Sequence, residues 1–158
     1  MAEVYIPNRD LIKNLKWNTG TTASPTYTSV CTTSEVGIDI DLETKDWYVF
    51  CDALQRRLVT GGSVTLSGTV KLDVNNAAEM DMLGTIHTMI ASGTIAQFNN
   101  KSIQFDLLTS YSSDTLTYTT YTANVNVSFS DLGGAAEDEA EFSFEMTLIG
   151  TATTTASL

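Results

Sequence analysis

The sequence predicts a mainly β domain, a sandwich or barrel of antiparallel strands with one flanking α-helix. Three observations carry that reading. Four segments alternate apolar and polar residues with the period of a strand, one segment repeats apolar residues with the period of a helix, and 158 residues suffice for one domain with a real core.

Residues 1–29 form an N-terminal arm. Asp10 to Trp17 is expected to make two helical turns, with Leu11, Ile12 and Leu15 on one side. Arg9, Lys13 and Lys16 make the arm basic, and N-T-G-T-T-A-S-P-T after it reads as a loop ended by Pro25. Two readings of the arm stand, a flexible terminus and a basic arm that docks on an acidic neighbour.

The strand within 30–43 is the most informative segment. Glu35, Asp39, Asp41 and Glu43 share one parity, and Val36, Ile38, Ile40 and Leu42 share the other. Side chains alternate faces along a strand, so one face is apolar and the other strongly negative. Lining four carboxylates along one face serves no folding purpose, because like charges repel. A surface that must stay anionic and wet explains it.

Residues 44–62 are expected to form a long connecting loop that holds Trp47, Tyr48 and Phe50. Loops of that length are uncommon and often functional. Aromatics there either fold back on the core or meet a partner. Ser63 to Asp73 alternates again, with Val64, Leu66, Val70 and Leu72 opposite Ser63, Thr65, Ser67, Thr69 and Lys71. The spacing predicts a helix over 76–92. Asn76 is its N-cap, Glu79 completes a capping box, Gly93 follows its end, and Met82, Leu83, Ile86, Met89 and Ile90 form its apolar stripe.

Ile95 to Leu108 reads as a hairpin that turns at Asn99–Lys101, and 109–121 as a loop or an edge strand. Strands follow at 122–130 and 141–149, separated by the acidic D-L-G-G-A-A-E-D-E-A. Phe142, Phe144, Met146 and Leu148 point one way, and Glu141, Ser143, Glu145 and Thr147 the other. Residues 153–158 are expected to be a flexible C-terminus. The polar faces of the strands at 34–43, 63–73, 122–130 and 141–149 make one broad hydrophilic sheet, and their apolar faces are expected to be buried beneath the helix and the remaining strands.

Charge restricts the function. Lys+Arg is 8 against 19 Asp+Glu, a formal net charge of −11, which opposes binding to nucleic acid or to an anionic membrane. No apolar run reaches the roughly 18 residues of a membrane span. The start MAEVYIPNRDL lacks a basic region followed by an apolar stretch, so the product is expected to fold in a cytoplasm, with Cys31 and Cys51 as reduced thiols. Neither cysteine has a partner at metal-ligand spacing, and the only histidine, His87, reads as a residue of the helix. No cofactor is expected. D-I-D-L-E resembles the start of an EF-hand loop, but Thr44 stands where glycine is needed and Phe50 where the closing Glu is needed. That leaves only nonspecific divalent association with the acidic face. Read as an enzyme, the acids would be a glycosidase pair. Four carboxylates in a row on an open face, with little Arg or His beside them, lack the environment such a pair needs. A carbohydrate-binding β-sandwich is the alternative from another class, and adjacent Trp47 and Tyr48 fit an exposed aromatic platform poorly.

The order of these elements resembles the tail tube (major tail) protein family of long, flexible-tailed bacteriophages. An acid-rich strand is followed by T-K-D and a long segment, then S-V-T-L-S-G-T, one helix, and N-V-S-F-S-D-L-G-G-A-A-E-D-E-A-E-F-S-F-E-M-T-L-I-G-T, which is similar to the family's closing hairpin. The resemblance covers roughly residues 30–152, and the 44–62 segment carries less glycine than is usual there. It implies a non-enzymatic virion protein that self-assembles into stacked hexameric rings, with each subunit's four-stranded sheet joined into a continuous inner barrel. Glu35, Asp39, Asp41, Glu43, Glu141 and Glu145 would then line a negative lumen through which DNA passes unbound during ejection. The 44–62 segment would contact the adjacent ring through Trp47, Tyr48, Phe50, Arg56 and Arg57. The implied partners are the chain itself and the tape measure, tail tip and tail terminator proteins, with no membrane. A subunit of a phage-derived particle (tailocin, gene transfer agent or secretion system) fits the same pattern.

Overall fold

The computed structural model describes residues 3–30, 33–49 and 52–156. A one-turn helix α1 (Asn8–Leu11) leads into strands β1 (Ile12–Asn18), β2 (Tyr27–Ser29), β3 (Thr33–Val49) and β4 (Asp52–Lys71). Helix α2 (Ala77–Ser92) follows, then a 3-10 turn at Ala96–Phe98. Strands β5 (Lys101–Ser112), β6 (Thr115–Gly133), β7 (Glu141–Leu148) and β8 (Thr153–Ala156) complete the chain. All strands join one antiparallel sheet in the order β2-β1-β5-β6-β7-β4-β3, with β8 added to β6. The sheet does not close on itself, but it curls. The Asn8 side-chain amide donates to the Val36 carbonyl at 2.9 Å, which joins the N-terminal turn to β3.

The core fills this curl. Trp17, Leu66, Val70, Met82, Ile103, Val125, Phe142 and Met146 are fully buried. Each such side chain contributes about 1.5–3 kcal/mol by leaving water. Phe129 ties the layers together, with its ring 5.6 Å from Phe142, 6.0 Å from Phe98 and 6.4 Å from Trp17. Gly68 is required where β4 passes Phe144. A Cβ there would lie 2.8 Å from the Phe144 ring and 2.2 Å from the Glu35 carbonyl oxygen.

The arm expected at 1–29 is part of this sheet. Its two helical turns reduce to α1, and Ile12 onward is a strand paired with β5 and β2. Asn14 explains the misreading. It sits at φ 53, and the register shifts between Lys13 and Lys16. This bulge absorbs one residue, so Ile12 and Leu15, three apart as on a helix, both turn inward and are buried. Lys13 is engaged within the fold, with its ammonium 3.8 Å from Asp10 and 4.7 Å from the Tyr118 ring.

Helix α2 starts where the sequence places it. The Asn76 side chain accepts from the Ala78 and Glu79 amides, and Gly93 closes the helix at φ 70. The capping box is modified, because Glu79 Oε1 accepts from the Asp73 amide rather than from Asn76. The buried face is Ala78, Glu79, Met82 and Thr85, while Met89 and Ile90 of the expected stripe are exposed. Trp17 fixes the helix in place. Its indole donates to Asp81 at 2.6 Å, and Lys101 lies 3.7 Å from the same carboxylate and 5.1 Å from the Trp17 ring.

The central hairpin is shifted from its expected position. Asn99–Lys101 leads out of the 3-10 turn, and β5 turns into β6 at Ser113–Asp114, both in the left-handed region (φ 51 and 61). Residues 109–112 and 115–121 are accordingly strand on either side of that turn. The tail expected to be flexible pairs Thr153–Ala156 with Thr119–Thr122 of β6. Its run of threonines suits a pleated edge.

Candidate assembly surfaces

The polar-faced strands of the sequence lie side by side as β6-β7-β4-β3. Their register puts every polar set on one face. Glu35 pairs with Thr69, Asp39 with Thr65, Asp41 with Ser63 and Glu43 with Gly61. Glu145 lies between Ser67 and Ser128, and Glu141 lies opposite Lys71. Thr65 and Thr147 hydroxyls meet at 3.3 Å, and those of Thr69 and Ser143 at 3.4 Å. All six acids are exposed.

Among the described residues no acid stands directly opposite another acid across a ladder, which limits repulsion. Neighbours along β3, such as Asp39 and Asp41, are about 7 Å apart, a repulsion of roughly 0.6 kcal/mol in water before screening. The face is therefore tolerable in one chain and strongly negative in total. Its one base, Lys71, is drawn to the rim, where its ammonium sits 3.0 Å from Glu139. Hydrogen bonding to Glu139 raises the Lys71 pKa, and the charges of Glu139 and Glu141 add to the rise.

The segment expected to be the 44–62 loop is the outer half of a β-hairpin. β3 and β4 pair as far as Val49↔Asp52, whereas β7 leaves β4 at Thr65↔Thr147. Among the described residues, two strands therefore run on without a third for about 30 Å. The alternation read from 34 to 43 does not stop where the core stops. Ile40 is 64% exposed and Leu42 56%, so the apolar face expected to be buried is covered only from Val36 to Ile38.

A register shift between Glu43 and Thr44 changes the chemistry. Beyond it, the face that carried acids continues as Lys45 and Trp47, with Leu58 opposite Lys45. The other face carries Thr44 and Asp46 opposite Val59 and Arg57. Trp47, Leu58 and Val59 are exposed at 39%, 53% and 54%. Arg57 grips Asp46 with two hydrogen bonds, of 2.8 and 3.1 Å. These hold the Asp46 carboxyl below its ordinary value and raise the guanidinium. Arg57 is thus engaged within its own hairpin.

Tyr48 and Arg56 occupy ladder positions opposite Gln55 and Trp47. Their side chains, and all of Phe50, Cys31 and Cys51, lie outside the described residues. Sequence reasoning missed Leu58 and Val59 as surface residues. The available signal was an apolar pair inside a segment already thought to leave the core.

Among the described residues, no three His, Cys, Asp or Glu side chains are grouped to hold a metal ion, and no helix is long and apolar enough to cross a membrane. No protein-family model matches the sequence, and no curated protein matches it. Solved structures do match. The tail of an empty gene transfer agent particle, resolved with C6 symmetry, aligns over 96% of this chain and all of its own, at 17% identity and TM-score 0.60. The SPP1 tail tube aligns over 94% of this chain and 78% of its own, at 10% identity and TM-score 0.58. The sheath–tube complex of an extracellular contractile injection system aligns over 98% of this chain and 94% of that one, at 14% identity and TM-score 0.56. The chain has the tail-tube fold.

Proposed function

We propose that this chain is a structural tail tube subunit that self-assembles into stacked hexameric rings around a negatively charged channel. The observation that carries the reading is the union, in a tail-tube fold, of one unbroken acid-and-hydroxyl face over β6-β7-β4-β3 with a hairpin that leaves the core. The six-fold symmetry of the similar gene transfer agent tail supports the ring size.

The ring is built by edges. β3 pairs on one side only, and residues 126–133 of β6 pair with β7 alone among the described residues. Joining the β3 edge of one copy to the β6 edge of the next makes a continuous barrel and removes two exposed edges per subunit. Glu35, Asp39, Asp41, Glu43, Glu141 and Glu145 then face the lumen. Repeated around each ring, they repel phosphate, so DNA passes without sticking. The hairpin reaches the adjacent ring with Trp47, Tyr48, Phe50, Arg56 and Arg57. No catalytic step is involved. The tape measure, tail tip and terminator proteins set the length and ends of the tube, and the mature location is the virion tail. The gene transfer agent and injection-system likenesses support the same role in a phage-derived particle equally well.

Negative-stain electron microscopy of the purified chain across a concentration series tests this. Hollow tubes or rings of uniform width are expected. A monomer at every concentration, with or without a tail initiation complex, overturns it and directs attention to glycan binding.

A further inference from the structure

We propose that the N-terminal turn is a latch on the open edge of β3, and that it must swing off that edge before two copies can join there. The inference rests on the ring joint proposed above and adds a step that precedes it.

The edge is covered within the single chain. Along an antiparallel strand, successive residues turn their backbone groups to opposite sides. The Glu35 carbonyl lies against β4, where it would meet a Cβ at Gly68 at 2.2 Å, and the Val36 carbonyl points the other way. There it accepts from the Asn8 side-chain amide at 2.9 Å. A strand added to β3 needs the lane about 4.7–4.9 Å away and donors aimed at the same carbonyl. Asn8 fills that lane and occupies that acceptor. Across the sheet, Val36 shares a row with Gly68, Phe144 and Phe129. The latch therefore sits at the level of the β6 edge that the ring joint uses.

The cover is reversible by construction. Pro7 has no N–H, and the chain turns helical at Asn8, so the segment lies on the edge without pairing as a strand. α1 is held from the other side. The Tyr118 hydroxyl donates to the Asp10 carbonyl at 2.6 Å, and Lys13 lies 3.8 Å from the Asp10 carboxylate. Between that anchor and β3 is an open cavity of about 480 Å³, with Ile12, Leu15, Val30 and Val36 among its lining residues. The turn thus reaches β3 across a cleft, and the Asn8 bond is exposed. Releasing it opens no core. A ladder along β3 replaces one side-chain bond with a row of backbone bonds, so the joint prevails when copies are concentrated and the latch when they are dilute. At low concentration the latch guards the inner end of a 17-residue strand against indiscriminate pairing.

Asn8→Ala removes the latch. It is expected to lower the concentration needed for rings or tubes by about two- to tenfold, the worth of one hydrogen bond. A bond that only braces the fold predicts the opposite sign, because its loss would raise that concentration. Cryo-electron microscopy of parent tubes reads the step directly. The Val36 carbonyl is expected to accept from the backbone of a second copy, with the Asn8 amide moved out of hydrogen-bond reach. An unchanged or raised concentration in Asn8→Ala, or parent tubes that keep the Asn8–Val36 bond beside a β3 joint, overturns the latch and leaves the tube reading intact. Tubes joined at another edge overturn the latch together with the ring joint on which it rests. A parent chain that makes neither rings nor tubes overturns the tube reading as well.

Discussion

The inner and outer halves of the β3–β4 hairpin share one alternating pattern and meet opposite surroundings. In the inner half, Leu66 and Val70 are buried beside Met146 and Phe142 of β7, and the acids on the other face are exposed to water. In the outer half, Ile40, Leu42, Trp47, Leu58 and Val59 stay exposed, with no third strand beside them among the described residues. The inner half is complete in one chain. The outer half has the composition of a buried strand pair without the burial, the condition of a surface that awaits a partner. On the tube reading, stability and assembly therefore separate along one hairpin.

The largest effect tests the inner half. Leu66→Ala is expected to lower folding stability by about 2–5 kcal/mol, read from urea unfolding, because it opens a cavity among side chains that relax only partly. A loss under about 1 kcal/mol would mean that the curl is not close-packed. The next tests the outer half. Trp47→Ala combined with Leu58→Ala should cost the monomer less than about 1 kcal/mol, the range for exposed cross-strand pairs. The same change should raise the concentration needed for tubes at least about tenfold, as expected for an aromatic anchor. Normal tubes from that variant, or an unfolded monomer, would erase the distinction between the halves.

The inner half was legible in the sequence and the outer half was not, for one physical reason. Period-2 alternation reports which side chains share a face, and it placed Glu35 to Glu43 on one face correctly. It does not report whether a third element covers that face. Along β4 the alternation breaks because Thr60 is bulged out between Glu43↔Gly61 and Thr44↔Val59, so the outer part of that strand has the pattern of a loop. The same cause hid β1, where Asn14 bulges and gives a strand the spacing of a helix. Ser113–Asp114 is a weaker turn signal than Asn-Gly, so the sequence does not mark where β5 turns into β6. The Trp17–Asp81–Lys101 cluster joins three elements far apart in sequence, which no local pattern reveals. The helix cap at Asn76 and the Gly93 stop were legible because each is set by its own few residues.

A third change tests the acidic face of the inner half against the tip. Asp39→Lys with Asp41→Lys replaces two exposed acids without touching the core. Stability should move by no more than about 0.5 kcal/mol, and tubes should still form. DNA passage through such tubes should slow, because a ring of ammonium groups holds phosphate by counterion release. Unchanged ejection kinetics, read by dye release from assembled particles, would remove these acids from the lumen.

The smallest effect lies in the outer half itself. The Arg57 hydrogen bonds keep Asp46 below its ordinary 3.8. A depressed carboxyl stabilises the folded state above its unfolded pKa and loses that stabilisation as pH falls through the lower folded value. Hydrogen exchange of tip amides should therefore stay level, after correction for intrinsic rates, between about pH 7 and pH 5, and quicken only below about pH 4. The pair is exposed, so the change is slight and salt weakens it. Asp46→Asn should remove the acid step while the inner-half amides, held by the core, keep the protection of the parent. Equal quickening in both halves would mean that the hairpin opens as one unit, and the inner half would no longer hold independently of the tip.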